Sequence, residues 1–435
     1  MTTLILGAGK TGRAAYAFLK NKGEEVRVFD DNKAVLDSFG GDAFSSFEGI
    51  TRVILSPGLP ILWPRVHTIY RKAKLLQIPV ISDIDLLQLE NPNSWYLGIT
   101  GTNGKSTTTA LLGFALGKLR SHVYVGGNLG TPALSLPLRE GGAYVLEMSS
   151  YQLEASQISE FNVGILLNIT PDHLDRHGGM AGYVYAKQLI FKGMTAKGFG
   201  IIGVDEPQTR EIYDYLFPLM GHHLIPISTQ RILDSGYSLQ GTKIYKNGEF
   251  LWNMDAHPKL KGPHNGQNIM AVWAALTILG FEDGDIRNAI LEFQGLEHRQ
   301  EHVLETKEGL VFINDSKATN ADATIQALKA YEDVYLILGG RPKTGGITEL
   351  IPYFGKIRHA LLIGEAADEF AHVLKAHGVD FTITHTLEAA LNFDFKTPGT
   401  VLFSPACASF DQFNNFEERG RAFKDRVDAR HHKES

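Results

Sequence analysis

The stretch that most restricts the fold is Gly98-Ile99-Thr100-Gly101-Thr102-Asn103-Gly104-Lys105-Ser106, a glycine-rich run ending in Gly-Lys-Ser that is one residue longer than the G-x-x-x-x-G-K-[ST] phosphate-loop pattern. The apolar run Trp95-Tyr96-Leu97 precedes it, and the helix-forming run Ala110-Leu111-Leu112-Gly113-Phe114-Ala115-Leu116 follows. The local order is therefore strand, loop, helix. In such a loop the glycines let successive backbone N–H groups turn inward around phosphate oxygens, and the helix N-terminus adds partial positive charge. Lys105 can reach the β- and γ-phosphates, and the Ser106 hydroxyl can sit on Mg²⁺. The pattern predicts a nucleoside triphosphate site.

At 435 residues with 43% hydrophobic content, the chain is long enough for about three domains, each with its own core. Lys and Arg total 42 against 48 Asp and Glu, a formal charge of -6. There is no basic excess to hold a nucleic-acid backbone. The single cysteine, Cys407, excludes an internal disulfide framework and a thiolate metal cluster, and reads as a small buried residue rather than a nucleophile. The opening Met1-Thr2-Thr3-Leu4-Ile5-Leu6-Gly7 lacks a basic region leading into a signal-length apolar segment. No other stretch reaches the roughly 20 apolar residues that span a bilayer. A soluble, cytoplasmic protein is expected, with a frayed Arg- and His-rich tail from Arg426 to Ser435.

The string from Thr100 to Thr107 resembles the ATP loop of the Mur ligase family, which extends the cell-wall peptide on a UDP-sugar, and of the related folylpolyglutamate synthetases. Other segments extend the resemblance over effectively the whole chain. Within residues 1–90, the strand Leu4-Ile5-Leu6 runs into Gly7-Ala8-Gly9-Lys10-Thr11-Gly12, and a second strand ends at Asp30. By itself this is a dinucleotide fingerprint with a ribose-binding acid, but about 90 residues fall short of two complete mononucleotide-binding halves. A purely packing role for the glycines is the other reading. A second loop, Ser56-Pro57-Gly58, makes the segment similar to the UDP-binding domain of the family. That similarity implies Lys10, Thr11, Asp30, Asp31, Ser56 and Gly58 near the uridine and its phosphates, with Asn128 also on the UDP-substrate.

Residues 91–295, after the turn-rich Asn91-Pro92-Asn93-Ser94, form the expected ATP-binding domain. Glu147 directly follows an apolar strand, where an acid is costly unless a cation pairs with it; Mg²⁺ beside a triphosphate is the natural partner. Thr170-Pro171-Asp172-His173-Leu174-Asp175-Arg176-His177 could be taken for a zinc site, although hard Mg²⁺ suits it better. The segment resembles the family's T-x-D-H-x-D-x-H string, which implies His173 on a second Mg²⁺. Lys187 stands fourteen residues later in an apolar neighbourhood and reads by itself as a snorkelling surface lysine. The resemblance instead implies a lysine carbamylated by CO₂, which requires a neutral amine. From Ile201 short strands and turns are expected, with a hairpin at Asn247-Gly248. Asn265 and Asn268 match an H-N-x-x-N motif placed at the adenine.

Residues 296–435 complete the chain. Gly295-Leu296-Glu297-His298-Arg299 resembles the family's hinge, whose arginine faces the triphosphate. Asp315-Ser316-Lys317-Ala318-Thr319-Asn320 and the run from Ser404 to Gly420 match the D-glutamate-adding branch. They imply Asp315 at the ATP ribose and Lys317, Thr319, Ser409 and Phe416 at D-glutamate, with Lys343 a further candidate. The expected fold is α/β in three domains: N-terminal Rossmann-like, central P-loop ATPase-like with a mostly parallel sheet, and C-terminal Rossmann-like. The implied ATP-binding set is Gly101, Thr102, Asn103, Gly104, Lys105, Ser106, Thr107, Asn265, Asn268, Arg299 and Asp315. The implied catalytic set is Lys105, Glu147, His173, Lys187 and Arg299. Two Mg²⁺ ions would be held by Ser106, Glu147, His173 and carbamylated Lys187. The implied partners are ATP, UDP-N-acetylmuramoyl-L-alanine and D-glutamate, acting on a monomer. A nucleotide-switch assembly protein would keep the phosphate loop but would not need this metal and acceptor set.

Overall fold

Short runs of β-branched and aliphatic residues bounded by glycine turns build three sheets in the computed structural model. It describes every residue except 193, 195–197, 258, 261, 343–344, 397 and 432–435. The first sheet contains β1 (Thr2–Leu6), β2 (Glu25–Phe29), β3 (Ile50–Leu55) and β4 (Val80–Ser82), all parallel in the order β2-β1-β3-β4. Its period-two burial is visible on β1, where Leu4 and Leu6 enter one apolar cluster and Ile5 the other. A parallel sheet covered on both faces requires such continuously apolar strands.

The second sheet comprises β5 (Trp95–Thr100), β6 (Val123–Gly127), β7 (Ala143–Glu147), β8 (Val163–Leu166), β9 (Phe199–Gly203), β10 (Leu224–Ser228), β11 (Tyr237–Gln240), β12 (Lys243–Lys246) and β13 (Glu249–Asn253). Their order is β13-β12-β11-β10-β9-β8-β5-β7-β6. Pairing is parallel from β6 to β11 and antiparallel through β12 and β13. The β12–β13 turn is the expected hairpin: Asn247 and Gly248 adopt φ of 52° and 81°, the left-handed pair that a tight hairpin turn demands. The first two sheets belong to one compact unit, Met1–Ala256 with Pro263–Phe293. Within it Asp85 pins one sheet's helix to the other. Its carboxylate accepts from Ser82 N (2.8 Å) at the helix cap and from Gln157 N (2.9 Å), Ile158 N (3.1 Å), Ser159 N (2.7 Å) and Ser159 Oγ (2.6 Å).

The third sheet lies in the second unit, His257–Gly262 with Gln294–Ser435. It contains β14 (Glu301–Glu305), β15 (Leu310–Asn314), β16 (Val334–Gly339), β17 (Ile357–Ile363), β18 (Phe381–His385) and β19 (Gly399–Phe403). The order is β14-β15-β19-β16-β17-β18, parallel except for the β14 edge. Along β16, Leu336 and Leu338 face one cluster while Tyr335 and Ile337 face the other. The chain is therefore an α/β protein of three domains.

Two local expectations need correction. The region after Ile201 is not only short strands, because the helix Pro207–Met220 intervenes. Proline at its first turn suits a helix start, and the interior Pro218 falls in the last turn, where it breaks little. Nor does the tail fray at Arg426: the helix Phe416–His431 continues through it. Val427 is buried there, and the Arg430 guanidinium donates to the carbonyls of Leu391 and Phe393.

Candidate active site

In the first sheet, the loop after β1 is closed by its own side chains. Asp30 accepts from Ala8 N (2.7 Å) and Asn32 N (2.8 Å), and Ser56 Oγ donates to Gly7 O (2.6 Å). A Cβ on Gly12 would stand 1.9 Å from Gly7 O, so only glycine lets the helix Lys10–Asn21 start this close to the strand end. Thr11 lies half-buried in that helix's first turn, Gly58 is exposed, and Asp31 sits 3.3 Å from His67. The six residues expected near UDP thus follow the carboxyl ends of β1, β2 and β3, where open parallel sheets bind ligands. The exposed Lys10 amine donates to Gly130 O, which brings in the turn carrying Asn128.

The phosphate loop lies between β5 and the helix Lys105–Leu119. Gly104 adopts φ 84°, and a Cβ there would meet Asn268 Oδ1 at 2.5 Å. Asn168 lashes the loop from below: its backbone oxygen accepts from Thr102 N (2.9 Å) and its Oδ1 from Asn103 N (2.8 Å). Thr102 Oγ1 accepts from Thr170 N at 3.0 Å. Ser106 and Thr107 are buried in the first helical turn. Asn268 accepts from Thr108 Oγ1 (3.0 Å) and donates to Asn265 Oδ1 (3.2 Å). This pair, read from sequence as adenine contacts, is buried against the phosphate-loop helix.

Two amines meet one carbonyl. Lys105 Nζ donates to Gly101 O and Thr102 O, each at 2.8 Å, and Lys187 Nζ donates to Gly101 O at 2.7 Å. Lys187 is 1% exposed, which corrects the picture of a snorkelling surface lysine. Burial, reinforced by the Lys105 charge, holds its amine well below the ordinary lysine range. Glu147 ends β7 at 3% exposure, with Oε1 accepting from Asn128 Nδ2 at 2.7 Å. His173 is half-exposed on a left-handed backbone (φ 52°), 3.5 Å from Asp172; burial lowers its pKa.

In the second unit, Arg299 stands between two non-glycine residues with positive φ, His298 (62°) and Gln300 (45°). The Asp315–Lys317 segment grips both sides of it. Gln300 N donates to Asp315 Oδ1 (3.1 Å), and Lys317 N donates to His298 O (3.0 Å). The other Asp315 oxygen accepts from Ser404 Oγ at 2.8 Å, and burial pushes this carboxyl up to about 7. Its side chain therefore braces the turn around Arg299 and the Ser404 turn. Lys317 Nζ lies 5.3 Å from the centre of the Phe416 ring, Ser409 is buried, and Thr319 is half-buried. Lys343 lies outside the described residues.

Residues 99–276 match the Mur ligase middle domain. The chain is 42% identical to the UDP-N-acetylmuramoylalanine–D-glutamate ligase of Paramagnetospirillum magneticum, over 98% of this chain and 96% of that one. It is 40% identical to the enzyme of that name from Rickettsia felis, over 96% and 95%. The chain belongs to the Mur ligase family. Two solved Thermotoga maritima structures share the fold. UDP-N-acetylmuramate–alanine ligase has TM-score 0.62 and 19% identity over 99% of this chain and 100% of that one. MurF ligase has TM-score 0.62 and 16% identity over 98% and 95%.

This Mur ligase also contains buried polar contacts that motif reading missed. Glu154 accepts from His177 (2.9 Å) and Arg176 (3.2 Å), while His177 Nε2 meets Ser150 Oγ at 2.9 Å. Arg176 further donates to Leu59 O (3.1 Å) and Trp63 O (3.0 Å), tying the loop after β3 to the His173 segment. His177 and Arg176 were visible in the T-x-D-H-x-D-x-H string, but their partner Glu154 had no sequence signal. Among the described residues no three His, Cys, Asp or Glu side chains form a ready-made metal cage. The donor types nevertheless fit Mg²⁺, which is commonly held by one or two carboxylates plus substrate phosphates. Glu147 and the Ser106 hydroxyl are hard oxygen donors, and the lowered pKa of Lys187 favours the neutral amine that carbamylation needs. Among the described residues no helix is long and apolar enough to cross a membrane.

Proposed function

We propose that the chain is an ATP-dependent ligase that joins D-glutamate to UDP-N-acetylmuramoyl-L-alanine in cytoplasmic peptidoglycan precursor synthesis. The observation that carries this reading is similarity across nearly the whole chain to ligases named for that reaction. We assign UDP binding to residues 1–90, ATP binding to 91–295 and amino-acid binding to 296–435. Lys10, Thr11, Asp30, Asp31, Ser56, Gly58 and Asn128 then form the UDP-substrate site, and Lys317, Thr319 and Ser409 with Phe416 receive D-glutamate.

A carboxylate is a poor acyl donor because oxide is a poor leaving group. Its oxygen attacks the γ-phosphorus of ATP, ADP leaves, and an acyl phosphate results. The D-glutamate amine then attacks the acyl carbon, loses a proton and expels phosphate. The N-terminus of the helix Lys105–Leu119 and the Lys105 ammonium stabilise the charge that moves with the phosphoryl group. Arg299 can present its planar fork to phosphate oxygens. Ser106, Glu147, His173 and carbamylated Lys187 would hold two Mg²⁺ ions, which supply charge neutralisation for the triphosphate when bound. Exclusion of water around the acyl phosphate prevents its hydrolysis.

Acceptor choice tests the reading. Lys317 favours an acidic side chain and repels a cationic one, so D-glutamate should give ligated product while L-lysine and meso-diaminopimelate give none. Product mass with each acceptor is the measurement, and efficient ligation of either diamino acid would overturn the assignment.

A further inference from the structure

Arg419 is the largest buried charged side chain in the molecule's described part, at 1% exposure, and no role above uses it. Its guanidinium donates from Nη2 to Ser316 O (2.7 Å), from Nε to Ser316 Oγ (3.1 Å) and from Nη1 to Cys407 O (3.1 Å). Ser316 Oγ in turn donates to Phe416 O at 2.9 Å. The three acceptor-site residues are therefore each tied to one group: Lys317 follows Ser316, Ser409 is two residues beyond Cys407, and Phe416 is held through Ser316 Oγ. The approach is close, since a Cβ on Gly340 would lie 3.2 Å from Arg419 Nη1.

The partners are also all neutral. The carboxylate whose charge reaches Arg419 is Asp411, while the hydrogen bonds of the guanidinium all go to neutral oxygens. Burial pulls its pKa down to about 10, which leaves the group cationic at neutral pH. A buried charge without a hydrogen-bonded carboxylate is expensive, and hydrogen bonds to neutral oxygens offset only part of that cost. An acidic ligand bound to the loops that Arg419 braces would add to the countercharge of Asp411.

We propose that Arg419 is a positioning residue of the acceptor site, holding the Lys317, Ser409 and Phe416 segments in register while its charge contributes to selecting an acidic amino acid. The inference rests on D-glutamate being the acceptor. Its test is steady-state kinetics of the full chain with D-glutamate, ATP and the UDP-substrate varied in turn, for wild type, Arg419→Met, Arg419→Lys and Ser316→Ala. Arg419→Met should raise the KM for D-glutamate at least about tenfold, with the KM values for ATP and the UDP-substrate within about twofold of wild type. Arg419→Lys keeps the charge and should recover part of the loss, and Ser316→Ala should raise the D-glutamate KM about threefold. An unchanged D-glutamate KM in Arg419→Met overturns the proposal. So does a lysine variant no better than methionine, with all three KM values rising together, because that is the signature of a merely structural role. If neither Arg419 variant folds, Ser316→Ala decides, and an unchanged D-glutamate KM there overturns it. Failure of wild type to ligate D-glutamate would sink the functional reading, and this inference with it, before any variant is compared.

Discussion

Lys105→Ala should lower the rate of ADP formation by about 10²–10³-fold, the range for removing one preorganised group that meets transition-state charge. The amine rests on Gly101 O and Thr102 O, so in the folded protein it already stands over the loop that receives the phosphates. The substitution leaves the left-handed Gly104 and the Asn168 bonds to the loop in place, and the fold should persist. Six of the seven residues assigned to UDP lie on a different sheet, beside β1, β2 and β3, and the seventh, Asn128, follows the edge strand β6, so affinity for the UDP-substrate should stay within about twofold. Single-turnover ADP formation together with a titration of the UDP-substrate separates the two effects. Near-normal ADP formation in the folded variant would remove Lys105 from the mechanism.

Lys187→Ala should lose about a hundredfold or more in ligase activity, the scale expected when a metal-site group is removed. A buried cation next to the Lys105 ammonium is unfavourable, and both effects depress the Lys187 pKa. The neutral amine that results can attack CO₂, forming an N–C bond and releasing a proton. A carbamate would place a negative charge where the neutral amine stood and offer hard oxygens to Mg²⁺. Acetate or formate in the vacated space should restore part of the alanine variant's activity, and methylamine should not. Carbon-13 NMR of wild type equilibrated with labelled bicarbonate and Mg²⁺ should show a carbamate resonance that Lys187→Ala lacks. Full activity without that resonance would leave Lys187 a plain amine.

Much of this arrangement was legible in the sequence because the chemistry involved is local. A phosphate loop needs glycines where Gly101 and Gly104 stand, and a tight hairpin needs the positive φ that Asn247 and Gly248 supply. The continuous apolar runs Leu4-Ile5-Leu6 of β1 and Val334-Tyr335-Leu336-Ile337-Leu338 of β16 marked buried strands of sheets covered on both faces. Long-range polar contacts were not legible. Asn268 and Asp315 match strings placed at the nucleotide, yet their side chains bond Thr108 Oγ1 and, for Asp315, Gln300 N and Ser404 Oγ. No spacing rule links Asp85 to Ser159, or Arg419 to Ser316, 103 residues apart. The burial of Lys187 was equally hidden, since one lysine in an apolar run can snorkel or be enclosed, and tertiary packing decides. The Arg426–Arg430 stretch looked solvated because its charges dominate, although the buried Val427 anchors it.

The acyl-phosphate route makes one atom traceable. UDP-N-acetylmuramoyl-L-alanine labelled with oxygen-18 in its terminal carboxylate should be incubated with the enzyme, ATP, Mg²⁺ and D-glutamate, and the phosphate released should be analysed by mass. Attack of the carboxylate on the γ-phosphorus carries one labelled oxygen into each phosphate formed, with the other retained in the new amide. Labelled phosphate in one-to-one ratio with ligated product is the predicted result; unlabelled phosphate accompanying ligation would contradict the account.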